Sequence, residues 1–416
     1  MKKMILSLCL VIALSQIFYS PVIGQTQSKS VKGLSPKVSF GIEVLITEQI
    51  NLIRGKRVGL ITNPSAVTSD MRSDVDVLAS LPDVKLVALF AGEHGIRGAL
   101  QGRIFQEGEL DPYTKIPMYS LYGDSFAPKE QWLKGLDVLI FDIQGVGSAW
   151  YTFKYTMSYA MEAAAKAGVP FIVLDRPNPL GGEVVEGPLL DLGSIFRHPL
   201  PLRHGMTYGE LATMWNEIYN IHANLTVVKM KGWRRDMLWN DTGLLWVMPS
   251  PNMPTFETVV IYPGQCLFER MNISEARGTT KPFIMTGAPW INGIQAAADL
   301  NNRNIQGAIF RPVFFIPQSA QPSRPQTPDR PWQKPWNIMC NGVEIMLTDA
   351  RAYRSVEAAI TIIDAYRKTN PDSLKWRPPK PLELLNDRTK TVEDIVKSYQ
   401  PEVEKFVKMR EKYLLY

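Results

Sequence analysis

Val84-Lys85-Leu86-Val87-Ala88-Leu89-Phe90 leads directly into Ala91-Gly92-Glu93-His94-Gly95-Ile96-Arg97-Gly98, and the fold follows from how this stretch is read. The apolar run has the length and residue types of a strand buried on both faces. Glu93, His94 and Arg97 therefore fall where that strand ends. In open α/β sheets ligands bind in the crevice beyond the carboxyl ends of the strands. Gly92, Gly95 and Gly98 permit positive φ and close approach of backbone to a ligand. On spacing alone a tight turn with solvated charges explains the same residues equally well, because charged glycine turns are common.

The pattern recurs along the chain. Arg57 to Pro64 reads as a buried strand closed by an Asn-Pro turn, and Ser73 to Leu81 as a helix. Asp137 to Asp142 is a third strand and leaves through the glycine-rich Ile143-Gln144-Gly145-Val146-Gly147-Ser148. A helix over Tyr151 to Ala167 stops at Gly168-Val169-Pro170, and Phe171 to Asp175 is a fourth strand. Thr207-Tyr208-Gly209-Glu210 opens a further helix with a capping box, followed by a strand over Leu225 to Met230. Strands alternating with helices imply a parallel sheet covered on both faces. The stretch from Gly98 to Phe126 reads as one long irregular connection.

From Met248 the pattern breaks into Pro249-Ser250-Pro251-Asn252-Met253-Pro254, the approach to a second domain. There Asn292 to Leu300, Ser355 to Arg367 and Glu402 to Leu414 read as helices, the last with Pro401 at its first turn. Ala308 to Phe315 and Val343 to Leu347 read as extended, and Pro317 to Pro335 as a loop. The expected organisation is α/β: a Rossmann-like parallel-sheet domain over 37–250, a smaller α/β (α+β) domain over 251–416, and a cleft between them.

Met1-Lys2-Lys3, the apolar run Met4 to Ala13 and small residues up to Gly24 have the layout of a secretory signal peptide, 1–24, followed by a flexible lead-in over 25–36. The apolar run is too short for a spanning helix, so stable membrane insertion is not expected, and Cys9 lies inside it rather than at its end. The product is expected to be exported, which in a bacterium means the periplasm or outside. A formal charge of +6, with Lys2 and Lys3 in the leader, does not argue for nucleic acid in a chain of 416 residues. It is compatible with an anionic substrate or cell-wall surface. Cys266 and Cys340 permit one disulfide, and no zinc spacing exists.

Polar side chains concentrate in five clusters: Glu93-His94 with Arg97; Asp142 with Gln144; Asp175 with Asn178; Arg203-His204; and Tyr262 to Glu269 running into Asn272 to Thr280. The first three fall at strand ends and should converge. Four histidines without metal spacing, no Gly-x-Ser-x-Gly and no G-x-G-x-x-G after the first strand argue against metal, serine-triad and dinucleotide chemistry, so no cofactor is expected. What remains is acid/base work by carboxylates, with arginines holding an anion. Glycoside hydrolysis needs little more. The bland readings stand beside this: Asp142 and Asp175 as helix caps, Arg277 as a loop brace, His204 as an interior histidine, Cys266 as a small core residue.

Glu93 to Gly98, Asp142-Ile143-Gln144 with Val146-Gly147, Leu174 to Gly182, Arg203 to Thr207, Asn252-Met253-Pro254-Thr255, and Tyr262 to Glu269 followed by Asn272 to Thr280 together resemble the NamZ-like (YbbC-like) exo-β-N-acetylmuramidases, in the same order and over nearly the whole chain after the leader. The resemblance implies a Rossmann-like domain and a smaller one with the active cleft between them. It also implies release of N-acetylmuramic acid from the non-reducing end of peptidoglycan fragments, without metal or cofactor. The family's suspected catalytic glutamate falls on Glu93, with Glu275 and Glu269 as candidates for its partner. Arg203, His204 and Arg277 would suit the lactyl carboxylate of muramic acid. Glu93 must then face, across a gap between lobes, the segment from Glu269 to Arg277. One departure stands out: Gly145 and Ala149 replace an aspartate and an arginine of the usual motif, as the loss of a structural ion pair would, or a change in substrate contact. The competing readings are a non-catalytic muropeptide or sugar-acid binding protein, and an amidase or esterase acting through Cys266 or His94.

Overall fold

Apolar runs without polar alternation require cover on both faces, and the sheet they build has it. The computed structural model describes residues 36–416 except 99–107, 124, 192, 194–195, 320–332, 371 and 377–379. The expected leader with Cys9, nearly all of the lead-in and most of the Pro317–Pro335 loop lie outside the described residues. Strands β1 (Arg57–Thr62), β2 (Lys85–Ala91), β3 (Met118–Ser120), β4 (Val138–Asp142), β5 (Phe171–Leu174) and β8 (Leu225–Val228) form a six-stranded sheet in the order β3-β2-β1-β4-β5-β8, parallel throughout.

Successive side chains go to opposite faces. Val138 and Ile140 of β4 join one hydrophobic core with the helices Gly41–Glu48 and Asp74–Ser80, while Leu139 and Phe141 join a second core with the helices Phe153–Ala167 and Tyr208–Ile218. That second core runs on into the rest of the chain. There β9 (Met285–Ala288), β10 (Ala308–Phe315) and β11 (Cys340–Leu347) make an antiparallel sheet ordered β10-β11-β9, packed with the helices Phe256–Gln265, Gly293–Asn302 and Ser355–Thr369.

The structure goes beyond or corrects the sequence reading at four points. The connection up to Phe126 contains β3, whose three residues pair with Leu89 to Ala91 at the sheet edge and are too few to show a pattern. A two-stranded hairpin, β6 (Glu186–Leu190) with β7 (Leu200–Arg203), was not foreseen. Tyr262 to Glu269, singled out only as a polar cluster, is the end of the helix Phe256–Gln265 and a 3-10 turn, Cys266–Arg270. Pro263-Gly264 looks like a helix breaker, but Gly264 is used for close approach: a Cβ there would stand 1.9 Å from the Ser355 carbonyl oxygen. The last long helix starts at Val392 behind a Thr391/Asp394 capping box, so Pro401 lies inside it rather than at its first turn.

The last residue of this helix and the chain after it return to the first lobe. Arg410 Nη1 donates to the carbonyls of His204 and Gly205 at 3.1 and 2.7 Å, and the Tyr416 hydroxyl donates to Asp175 Oδ2 at 2.8 Å. Cys266 and Cys340 are both free thiols. Among the described residues no helix is long and apolar enough to cross a membrane.

Candidate active site

The chain reverses direction in the sheet at β1, which lies between β2 and β4, so the crevice at the ends of β1 and β4 is where this architecture ordinarily binds ligands. Here protein groups fill it. The Arg176 guanidinium is ion-paired to Asp142 through Nε, and through Nη2 at 3.0 Å, while donating to the Val67 carbonyl at 2.9 Å. Thr62 donates to Asp74 at 2.6 Å, and burial with the nearby Asp142 charge raises the Asp74 carboxyl well above the usual range.

A cavity opens one step away, between the lobes, with a volume of about 400 Å³. From the first lobe it receives Glu93 and His94 from the turn after β2, and the segment Trp150–Phe153 from the exit of β4. Gly92 is required here, since a Cβ would stand 2.7 Å from the Phe153 ring, and His94 and Gly95 follow with φ of 72° and 79°. The second wall begins with Ser250, Asn252 and Met253, continues with Tyr262, Cys266, Glu269 and Arg270, and ends with Arg277 and Phe283. Trp150 Nε1 donates to the Pro263 carbonyl at 3.1 Å and ties the walls together. Edge-to-face contacts of Tyr151 with Tyr262 (6.3 Å) and Tyr262 with Phe283 (4.8 Å) make one side aromatic.

A buried lysine holds each wall. Lys154 Nζ donates to the carbonyls of Ser148 (2.8 Å), Ala149 (2.9 Å) and Tyr151, and its burial lowers its pKa well below the lysine range. Lys334 Nζ donates to the carbonyls of Phe268 and Ile273, both at 2.6 Å, and to Glu275.

Of the residues singled out in the sequence, Glu93, His94, Tyr262, Cys266, Glu269 and Arg277 line this cavity. Arg277 donates through Nε to Glu275 at 2.6 Å and lies 3.5 Å from Glu269 through Nη2. Glu275 does not line it: the carboxyl is buried between Lys334 and Arg277, and although burial works to raise its pKa, those two cations hold it at about 2. A carboxylate so engaged positions Arg277. Cys266 faces the cavity with its thiol donating to Glu269 at 3.5 Å, and burial together with the Glu269 charge raises its pKa well above the thiol range, which disfavours a thiolate nucleophile.

The remaining candidates are placed elsewhere. Arg97 is held by Asp111 (2.9 Å) and Asp76 (2.8 Å). Asp142 belongs to Arg176, and Gln144 Nε2 donates to the carbonyls of Gly145 and Pro177, both at 2.8 Å. Asp175 accepts from Thr207 Oγ1, Gly209 N and the Tyr416 hydroxyl, and burial raises it to about 6. Asn178 spans Met206 and Leu180, each at 3.0 Å. Arg203 donates to the Leu180 carbonyl at 2.6 Å, and His204 accepts from Met206 N at 3.2 Å. Both are buried, and burial holds the His204 ring neutral by lowering its pKa well below the usual histidine value. The lactyl-binding role expected of Arg203 and His204 therefore has no support in their placement, and the strand-end clusters do not converge on one cavity. Arg270, Trp150 and Tyr151 were overlooked, although Arg270 directly follows Glu269 in a motif already singled out.

At 145 a Cβ would stand 2.7 Å from the buried Tyr208 ring, so an aspartate there requires that ring to shift; nothing in the structure explains Ala149. Among the described residues no three His, Cys, Asp or Glu side chains come together as a metal-ligand set.

Two family models match consecutive parts of the chain: exo-β-N-acetylmuramidase NamZ, N-terminal, over residues 58–257, and its C-terminal counterpart over 260–416. The peptidoglycan β-N-acetylmuramidase NamZ of Bacillus subtilis (strain 168) is 42% identical over 401 residues, 94% of each chain. A DUF1343 family protein of Bacteroides fragilis, known from its crystal structure, superposes with a TM-score of 0.81 at 33% identity, covering 92% of this chain and 100% of that one. A second DUF1343 protein of the same organism gives 0.68 at 29% identity, covering 91% and 99%. The chain belongs to the exo-β-N-acetylmuramidase NamZ family.

Proposed function

We infer that this chain is an exo-acting glycoside hydrolase that releases N-acetylmuramic acid from the non-reducing end of peptidoglycan fragments. The observation that carries the reading is the shared cavity: Glu93 from one lobe, and Glu269 with Arg277 from the other, line the same space in a chain 42% identical to a peptidoglycan β-N-acetylmuramidase. At about 400 Å³ the space is at the small end of ligand sites, a size for one acylated sugar ring rather than a strand. A non-catalytic binding protein draws no support from that similarity.

Glu93 is the general acid that protonates the leaving glycosidic oxygen. Glu269 is the second carboxylate, serving the anomeric carbon directly, through water, or through the substrate's own acetamido group. Two nitrogens of Arg277 are engaged by Glu275 and Glu269, and the third, Nη1, is the donor for the lactyl carboxylate, with Arg270 beside it. Tyr151, Tyr262 and Phe283 offer a face for the sugar ring. The apolar N-terminal run supports an exported protein meeting cell-wall fragments outside the cytoplasm.

The test is hydrolysis of a chromogenic N-acetylmuramide beside the matching N-acetylglucosaminide, which lacks the lactyl acid. Turnover of the muramide alone is expected. Equal turnover of both sugars, or of neither, contradicts the reading.

A further inference from the structure

We propose that Lys334 is the positioning residue of the second catalytic wall: it fastens both ends of the turn that carries Glu269 and, through Glu275 and Arg277, sets the charge surrounding that carboxylate. The proposal rests on the reading of Glu269 as the second working carboxylate.

The Lys334 ammonium has three acceptors for its three hydrogens, the carbonyls of Phe268 and Ile273 at 2.6 Å each and the Glu275 carboxylate. Phe268 immediately precedes Glu269, and Ile273 follows Arg270 by three residues, so one group closes the turn that presents both side chains to the cavity. Lys334 lies more than sixty residues beyond Glu269 in the chain, so its bonds to this turn are long-range. Burying an ammonium is costly unless its geometry is satisfied, and an apolar side chain would fill the same volume.

Beyond the turn the charges alternate. Lys334 pairs with Glu275, Glu275 with Arg277 at 2.6 Å, and Arg277 with Glu269 at 3.5 Å. Arg277 is thus shared between a buried carboxylate and one on the cavity, and Lys334 governs how much of it Glu275 claims. The other groups facing Glu269 are Cys266 and Arg270 from its own turn, Tyr262 from the preceding helix, and Glu93 and His94 across the cavity. Lys154 provides the contrast, since its acceptors are main-chain carbonyls, with no carboxylate among them.

The test is the pH profile of kcat/KM on the chromogenic muramide for Lys334→Met and Glu275→Gln, with circular dichroism as the check of fold. Lys334→Met leaves Arg277 to Glu275 and makes the field at Glu269 less positive. The acidic limb should move up by about one pH unit, costing about tenfold in rate below it. Glu275→Gln does the opposite, and its acidic limb should move down by a similar amount. A merely structural role lowers the rate in both without moving the limb in opposite directions. Limbs that stay in place, that move together, or variants that both fail to fold overturn the proposal; if one fails to fold, the direction in the other decides. Glu269→Gln separates the underlying reading, for retention of its acidic limb and rate would remove Glu269 from the chemistry whatever Lys334 does.

Discussion

Glu93 is half-buried at the mouth of a tight turn: Gly92 lies against the Phe153 ring, and His94 and Gly95 both take positive φ. General acid–base catalysis by a placed side chain is worth about 10²–10⁴-fold, so Glu93→Gln should lose that much kcat on the muramide while keeping its melting temperature. Arg277→Met should raise KM for the muramide by about tenfold or more, the effect of a lost charge-assisted hydrogen bond, as measured by steady-state kinetics. At this scale the sequence spoke plainly about residue types and not about partners. Asp142 and Glu269 both stand in motifs among glycines or prolines, yet Asp142 faces Arg176 and Glu269 faces the cavity. What separates them is the pairing of Asp142 to Arg176, 34 residues further on, which spacing along the chain does not encode.

Among the elements, β1, β2, β4 and β5 were legible because each is buried on both faces, which demands unbroken apolar runs. β3 escaped because it is three residues long, and the helix Phe256–Gln265 because Pro263-Gly264 mimics a break. The bareness of Gly264 is needed where two helices meet, so Gly264→Ala should cost about 1–3 kcal/mol in stability by chemical denaturation. Asp175 joins three elements, the end of β5, the start of the helix Tyr208–Ile218 and the returning Tyr416. Its carboxyl is raised by burial from 3.8 to about 6, so between those values the folded chain holds a proton that the unfolded chain has released. Its contribution is full below about pH 4 and is lost as pH rises through about 6, on the order of 3 kcal/mol across the window. Asp175→Asn should flatten that part of a melting-temperature profile against pH; an unchanged slope would place the dependence on other groups.

At the scale of the whole molecule, the two lobes are not independent. They share a hydrophobic core, Trp150 is bonded to Pro263, and Arg410 and Tyr416 reach back to the first lobe. The cavity sits on that seam, and its two-sided lining was legible only through the resemblance of motifs in both halves to one family. The filling of the strand-end crevice was not, since it depends on Arg176 turning inward onto Asp142. The most direct measurement of the central claim is mass spectrometry of a defined disaccharide, with N-acetylmuramic acid at its non-reducing end, after incubation with the protein and with Glu93→Gln. Free N-acetylmuramic acid from the first and intact disaccharide from the second is the predicted result. Intact disaccharide from both, or equal release by both, would contradict it.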